Sequence, residues 1–471
     1  MGARRLFDEG SRRSWVPLLL SVLALVVPAR DAFGAGLRIS HVTRISSITP
    51  FPGPCGRDSP IVTVGAEVEP YIAVDPSDPR RLAVTWMQDS GRSNVVLSSR
   101  DRGTTWTRAF VPGLSQCTGG IEPTAADPWL SFGGDGRLYL GSVVGTISKS
   151  ANPVTAMVAS RSSDGGRSWR VPRYVQPKTG GFWDKPTITA DPGRPGRAYF
   201  VFDRITGANS TTGLSFISHT RDRGKTWSAR RIVLDPRTDD SWPASNILSV
   251  LGNGTLLNVG FLYGLETKRV EFLSQQSRDH GATWSPPTKI AGAPNRQPES
   301  PTGAVVSALA LPSTALAPNG TVDVSWAVLR PDRTSSIRIS RSTDGGRSWS
   351  IPRDVADIDG EAFLPTIAVA GDGTVGVLYY GTQRDRAGDA EWTTDVWFSY
   401  SRDGGRHWRA KRIAGPFDMT TAESHGGELF LGDYEGLAGL PHGFAAAFAQ
   451  ARPKANQGPS DIFFTRLHVT R

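Results

Sequence analysis

The chain has 471 residues, a formal net charge of +9, 52 Gly and 34 Pro, with only 21% charged residues. Its Lys and Arg are spread along the chain rather than clustered, which argues against a nucleic-acid-binding protein and for a solvated basic surface. That much Gly and Pro, without a long helical pattern, points to a large all-β body and makes internal repeats the first thing to look for.

At the N-terminus, Arg4, Arg5, Arg12 and Arg13 precede an apolar run from Val16 to Val27, followed by Ala32-Phe33-Gly34. Charge, a short apolar core and small residues in that order predict a cleaved signal peptide over residues 1–34. The run is too short for the roughly 20 residues that a spanning helix needs. No second stretch could cross a bilayer, so the expectation is a secreted, extracellular protein with no stable membrane insertion. Cys55 and Cys117 are the only cysteines, and an even count in an exported chain predicts a disulfide between them. Neither has a Cys or His at zinc-ligand spacing, so no metal is expected. No phosphate loop, Gly-x-Ser-x-Gly elbow or His-Glu-x-x-His helix is present, and no cofactor is expected.

The segment 37–45 reads as a strand with no neighbour in sequence. Beyond it, Pro recurs before short β-rich runs: Glu69-Pro70, Asp127-Pro128, Lys185-Pro186, Trp242-Pro243 and Leu364-Pro365. Pro at the first residue of a strand loses no ladder bond, so each is expected to open an innermost strand; a further one is expected near 313–317. A tight turn and a second apolar strand follow each.

Each unit then ends in Ser/Thr-x-Asp-x-Gly-x-x-Trp, found at 99–106, 162–169, 220–227, 277–284, 342–349 and 401–408. The pattern resembles the Asp-box, or BNR, repeat of the sialidase (neuraminidase) superfamily, and the resemblance covers nearly all of the chain after residue 34. It implies an all-β fold, a single propeller of four-stranded antiparallel blades over 35–471. It also implies that each box is a turn between the third and outer strands. Asp101, Asp164, Asp222, Asp279, Asp344 and Asp403 are then expected to bind backbone N–H groups. Trp106, Trp169, Trp227, Trp284, Trp349 and Trp408 are expected to bury their rings.

Past the sixth box, Phe430-Leu431-Gly432-Asp433-Tyr434, then 443–448 and 462–467, read as three more strands without a seventh box. Strand 37–45 would complete that blade and close the ring, giving seven blades; the alternative is the six-bladed form of sialidases. The long loops 112–126, 172–183, 291–303, 381–392 and 415–428 fall on one face, opposite the boxes. That face is where a glycan or protein ligand is expected.

Around the channel mouth on that face the sequence offers Glu69, Asp127, Asp184, Asp240 and Asp433 as ligand-binding carboxylates. The family's template supplies a catalytic hypothesis. Three Arg hold a substrate carboxylate through bidentate bonds, and a Glu activates a Tyr nucleophile. Arg204, Arg330 and Arg384, with Tyr380 and Glu361, match these residue types. The family's early Arg-Ile-Pro element is absent, since Arg38-Ile39-Ser40 lacks the Pro. Two functions therefore stand at this point: a sialidase-like glycoside hydrolase or glycan binder, and a non-enzymatic scaffold that holds a protein or polysaccharide partner.

Overall fold

The computed structural model describes residues 36–51, 53–56, 59, 61–146, 154–179, 181–206, 212–236, 240–308, 311–382, 391–454 and 458–470. The predicted signal peptide and Arg384 lie outside them. Residues Leu37–Thr470 form one compact body. Seven antiparallel sheets account for its strands, apart from a small hairpin of Glu423–His425 and Glu428–Phe430.

The innermost strands of blades one to seven are Glu67–Val74, Thr124–Phe132, Phe182–Ala190, Ser241–Val250, Ser313–Leu316, Ala362–Val369 and Gly436–Leu440. Each packs against the next and the seventh packs against the first, so the ring is closed. The expected seven blades and the expected closure are both present. Leu37–Ile39 and Thr43–Arg44 pair antiparallel with the third strand of blade seven, Gly458–Val469, in place of an outer strand from the C-terminal side. Closure of this kind pairs the edge of Gly458–Val469 that would otherwise be open where the chain's two ends meet.

Two strand expectations need correction. In blade seven the inner strand is Gly436–Leu440, several residues later than Phe430-Leu431-Gly432-Asp433-Tyr434. The earlier segment closes the small hairpin and then turns into the channel. The repeated Pro is also not the first residue of its strand. In blades one, two, three and six it sits inside, at a register shift: Val68/Tyr71, Ala126/Trp129, Asp184/Thr187 and Phe363/Thr366. A bulge spares a ladder bond as well as a strand end does, which is why Pro fits both places.

The residue before each of these prolines has positive φ: Glu69 55°, Asp127 47°, Lys185 52° and Leu364 50°. Ser245 in blade four, φ 51°, occupies the same kind of bulge without Pro. Such angles are uncommon for residues with a Cβ, and repetition at one structural level shows that the fold imposes them.

The six boxes share one hydrogen-bond scheme. In blade one, Asp101 Oδ1 accepts from the Thr104 and Thr105 N–H groups at 3.0 and 2.8 Å, and Ser99 Oγ accepts from Gly103 N–H at 2.8 Å. These bonds, led by those from Thr105, pull the Asp101 carboxyl down to about 2. The box carboxylates are thus consumed inside their turns. The Trp rings vary: Trp169 is buried, while Trp106, Trp227, Trp284, Trp349 and Trp408 are half-buried.

Candidate functional site in the central channel

The bulges turn side chains of several blades toward one another near the ring axis. Lys185 lies at their meeting point, with Nζ 2.5 Å from Asp433 Oδ2, 3.4 Å from Asp184 Oδ2 and 3.9 Å from Asp127 Oδ2. Glu69 joins through its Oε1, which accepts the Asp433 N–H at 3.2 Å. Gly432, at φ 137°, lets the chain pass this close: a Cβ there would lie 2.8 Å from the Glu69 nitrogen.

One cation among four carboxyl groups cannot neutralise them all, so protons must make up the difference. Burial, then repulsion from Asp127 and Asp433, pushes the Glu69 carboxyl well above the usual range. Burial likewise pushes Asp127 up to about 8, despite the opposing pull of Lys185. For Lys185, burial alone would lower the ammonium; Asp184, Asp433, Asp127 and Glu69 outweigh it and hold the group well above its ordinary value. The cluster therefore holds an ammonium, carboxylates and protonated carboxyl groups, and can both donate and accept hydrogen bonds.

Aromatic rings form the adjoining wall. Tyr71 and Trp129 stack with centroids 3.9 Å apart, and Tyr434 meets Trp129 edge-on at 5.2 Å. The Tyr434 hydroxyl donates to the Pro128 carbonyl at 3.0 Å. These rings, with Asp127, Lys185, Asp433 and Glu435, line a cavity of about 130 Å³. An apolar wall with a few convergent polar groups is what small-molecule sites present.

Of the five carboxylates read from the sequence, Glu69, Asp127, Asp184 and Asp433 lie in this cluster. Asp240 does not: it sits in the turn before the fourth inner strand, where its carbonyl accepts the Leu265 N–H at 2.8 Å. The hypothetical catalytic group is not assembled as expected. Tyr380 is buried and its hydroxyl lies 2.7 Å from Glu435 Oε1 and 2.6 Å from the Ala449 carbonyl, so Glu361 is not its partner. Glu361 instead accepts the Glu299 N–H at 2.7 Å. Arg204 lies over the Trp183 ring at 5.7 Å, and Arg330 bonds Thr334 Oγ1 at 3.2 Å. These two guanidinium groups have separate partners in blades three and five.

Sequence reasoning missed Lys185, Tyr71, Trp129, Tyr434 and Glu435. A signal for the first was available. Aligned on the repeated Pro, Lys185 falls in register with Glu69 and Asp127, whereas Asp184 is one residue out. Cys55 and Cys117 form a disulfide. No group of three or more His, Cys, Asp or Glu residues with metal-binding geometry occurs among the described residues.

No protein family's sequence profile and no curated protein matches this chain. Solved structures with a similar fold include a protein of unknown function from Dyadobacter fermentans, at 14% identity and TM-score 0.47, covering 73% of this chain and 94% of that one. A Hadza microbial sialidase is 15% identical with TM-score 0.47, covering 83% of this chain and 73% of its own. An α-L-arabinanase from Penicillium chrysogenum is 17% identical with TM-score 0.45, covering 73% and 94%. Likenesses of this size concern the fold and carry no chemistry across. On its own geometry, the chain is a seven-bladed β-propeller with six repeated carboxylate turns on one side and a mixed-charge, aromatic-walled cavity at its axis.

Proposed function

We propose that the protein is exported and binds a neutral glycan in the central channel, through the Lys185 cluster and the Tyr71, Trp129 and Tyr434 wall. The observation that carries this reading is the shared cavity. Ring faces suit the apolar face of a sugar, and the adjacent carboxyl groups and ammonium suit its hydroxyls. The surplus of carboxyl groups over cations speaks against an anionic sugar, and so does the separation of Arg204 from Arg330. The leader-like segment 1–34 and the disulfide support export.

Titration calorimetry with neutral oligosaccharides (arabinan, galactan and glucan fragments) and with sialyllactose tests the specificity. The expected result is heat from a neutral glycan, none from sialyllactose, and loss of the signal in Trp129→Ala. Binding of sialyllactose alone, or binding unaffected by Trp129→Ala, would overturn the assignment. Release of fluorophore from aryl glycosides tests whether binding leads to hydrolysis; Asp127, which keeps its proton to about pH 8, is the candidate general acid.

A second reading has its own observation. Lys185 of blade three reaches Asp433 before blade seven and Asp127 of blade two, so the cluster also braces the ring. In a purely scaffolding protein, protein or polysaccharide partners would be held by the long-loop face instead. Capture that survives Trp129→Ala but fails on shortening the 381–392 loop would favour that role.

A further inference from the structure

Blade seven differs from the other six in a way that follows directly from ring closure. Elsewhere, the third and outer strands are joined by a box turn. In blade seven the third strand is Gly458–Val469 and the outer strand comes from the other end of the chain, at Leu37–Ile39. Among the described residues, no hairpin occupies the position where a seventh box would sit. A cavity of about 470 Å³ lies there, lined by Arg38, Arg102, Arg466, His442 and His468 together with apolar residues and Ser40.

No Asp or Glu lines this cavity. Arg38 lies on the closing strand, Arg466 on the third strand, and Arg102 on the box of blade one, whose Trp106 packs edge-on against Phe464 at 5.0 Å. None of the three guanidinium groups has a hydrogen-bond or ion-pair partner among the described residues. The buried or half-buried Arg341, Arg81 and Arg92 are each matched by a carboxylate: Asp323 at 2.7 Å, Asp75 at 2.8 Å and Asp89 at 3.1 Å. Three like charges lining one cavity without a carboxylate among them make its potential positive and attract an anion.

We infer that this cavity is a binding site for a tetrahedral oxyanion, phosphate or sulfate, either free or esterified to a sugar. Each guanidinium carries five N–H donors in a planar fork suited to such oxygens. The volume admits the anion together with the group that bears it. The site lies at the box side of blade seven, away from the Lys185 cluster, so it stands or falls independently of the channel assignment.

Titration calorimetry of the full chain with inorganic phosphate, inorganic sulfate and glucose 6-phosphate tests it. Arg102→Gly removes one charge and suits the positive φ of 62° at that position. Arg38→Gln with Arg466→Gln removes the other two while keeping most of each side chain. Arg347→Gln, on the box of blade five, is the control for overall charge. The wild type should bind at least one of the probes. Both cavity variants should weaken it by about tenfold or more, the scale of a lost charged hydrogen bond, and the control should leave it unchanged. Binding of glucose 6-phosphate without inorganic phosphate identifies the ester as the ligand form, and the converse the free ion. No binding of any probe at millimolar concentration, or equal weakening in Arg347→Gln, overturns the site. Melting temperatures of the variants establish that each is folded.

Discussion

The Tyr380 hydroxyl lies between Glu435 Oε1, 2.7 Å away, and the carbonyl oxygen of Ala449, 2.6 Å away. It has one proton to give, and two acceptors cannot both receive it. The contradiction resolves when Glu435 is itself protonated: the carboxyl donates to Tyr380, and Tyr380 donates to Ala449. Burial pushes the Glu435 carboxyl well above its usual value of 4.5, consistent with that arrangement. This Tyr and Glu pair is therefore neutral and buried.

The first prediction follows from that proton. The folded state holds it above pH 4.5, whereas the unfolded chain releases it there, so this group makes stability fall as pH rises. Glu435→Gln cannot titrate. Its melting temperature relative to wild type should rise between pH 5 and pH 8, and a flat difference would show that Glu435 is not the protonated partner. Tyr380→Phe leaves two polar groups short of a partner and should cost about 1 to 3 kcal/mol in denaturant titrations.

Removing the one ammonium at the channel axis should be costly. Lys185→Met leaves Asp184 and Asp433 facing each other with no counter-charge, a change on the order of 3 kcal/mol for a largely buried pair. The deficit should shrink as pH is lowered, because carboxylates left without their counter-charge are relieved by taking up protons. Chemical denaturation at pH 7 and pH 4 measures both; an equal loss at the two pH values would mean that Lys185 contributes packing rather than charge.

The boxes oppose the buried acids in their pH dependence. Asp222 is held near 2 against an ordinary 3.8, with burial opposing and bonds from Thr226 and Thr220 prevailing. Its contribution is present above 3.8 and is lost as pH falls toward 2, and five other boxes repeat the trend. Thermal melts should show stability falling steeply between pH 4 and pH 2, less steeply in Asp222→Asn. Among the box rings, Trp169→Ala should cost about 3 to 5 kcal/mol, and Trp227→Ala less, because its ring is only half-buried.

The disulfide closes a loop with 62 residues of separation, for which chain entropy suggests about 4 kcal/mol. Its surroundings add to the effect. Arg92, fully buried, donates to the Cys55 carbonyl at 2.9 Å and the Gly53 carbonyl at 3.0 Å. Cys55→Ser with Cys117→Ser should lower the denaturant midpoint by a corresponding amount. Unchanged stability on reduction would show that Arg92 and its bonds hold the loop unaided.

Much of the fold was legible in the sequence because its devices are local. A box turn is specified by eight contiguous residues, and each repeated Pro marked an inner strand, although it was read as the strand's first residue where four blades have a bulge. Their spacing alone gave six complete units, a seventh without a box, and a spare N-terminal strand to finish it. The error in blade seven arose where that local signal stops: without a box to count back from, an apolar hairpin at 430 looked like a strand opening.

Readable from residue order alone were the propeller architecture, a count of seven blades with six as the alternative, and the hydrogen bonding of each box carboxylate within its own turn. Which distant residues meet is set by the folded ring. Ring closure sets Glu69 beside Asp433, Tyr380 against Glu435, and Arg38 and Arg102 beside Arg466. The physical reason is that turn chemistry acts between neighbours along the chain, whereas a channel or a closing seam is built where blades far apart in sequence converge. Residue types could suggest an Arg trio and a Tyr and Glu pair, but the angle at which each blade presents its side chains settles which groups share a space.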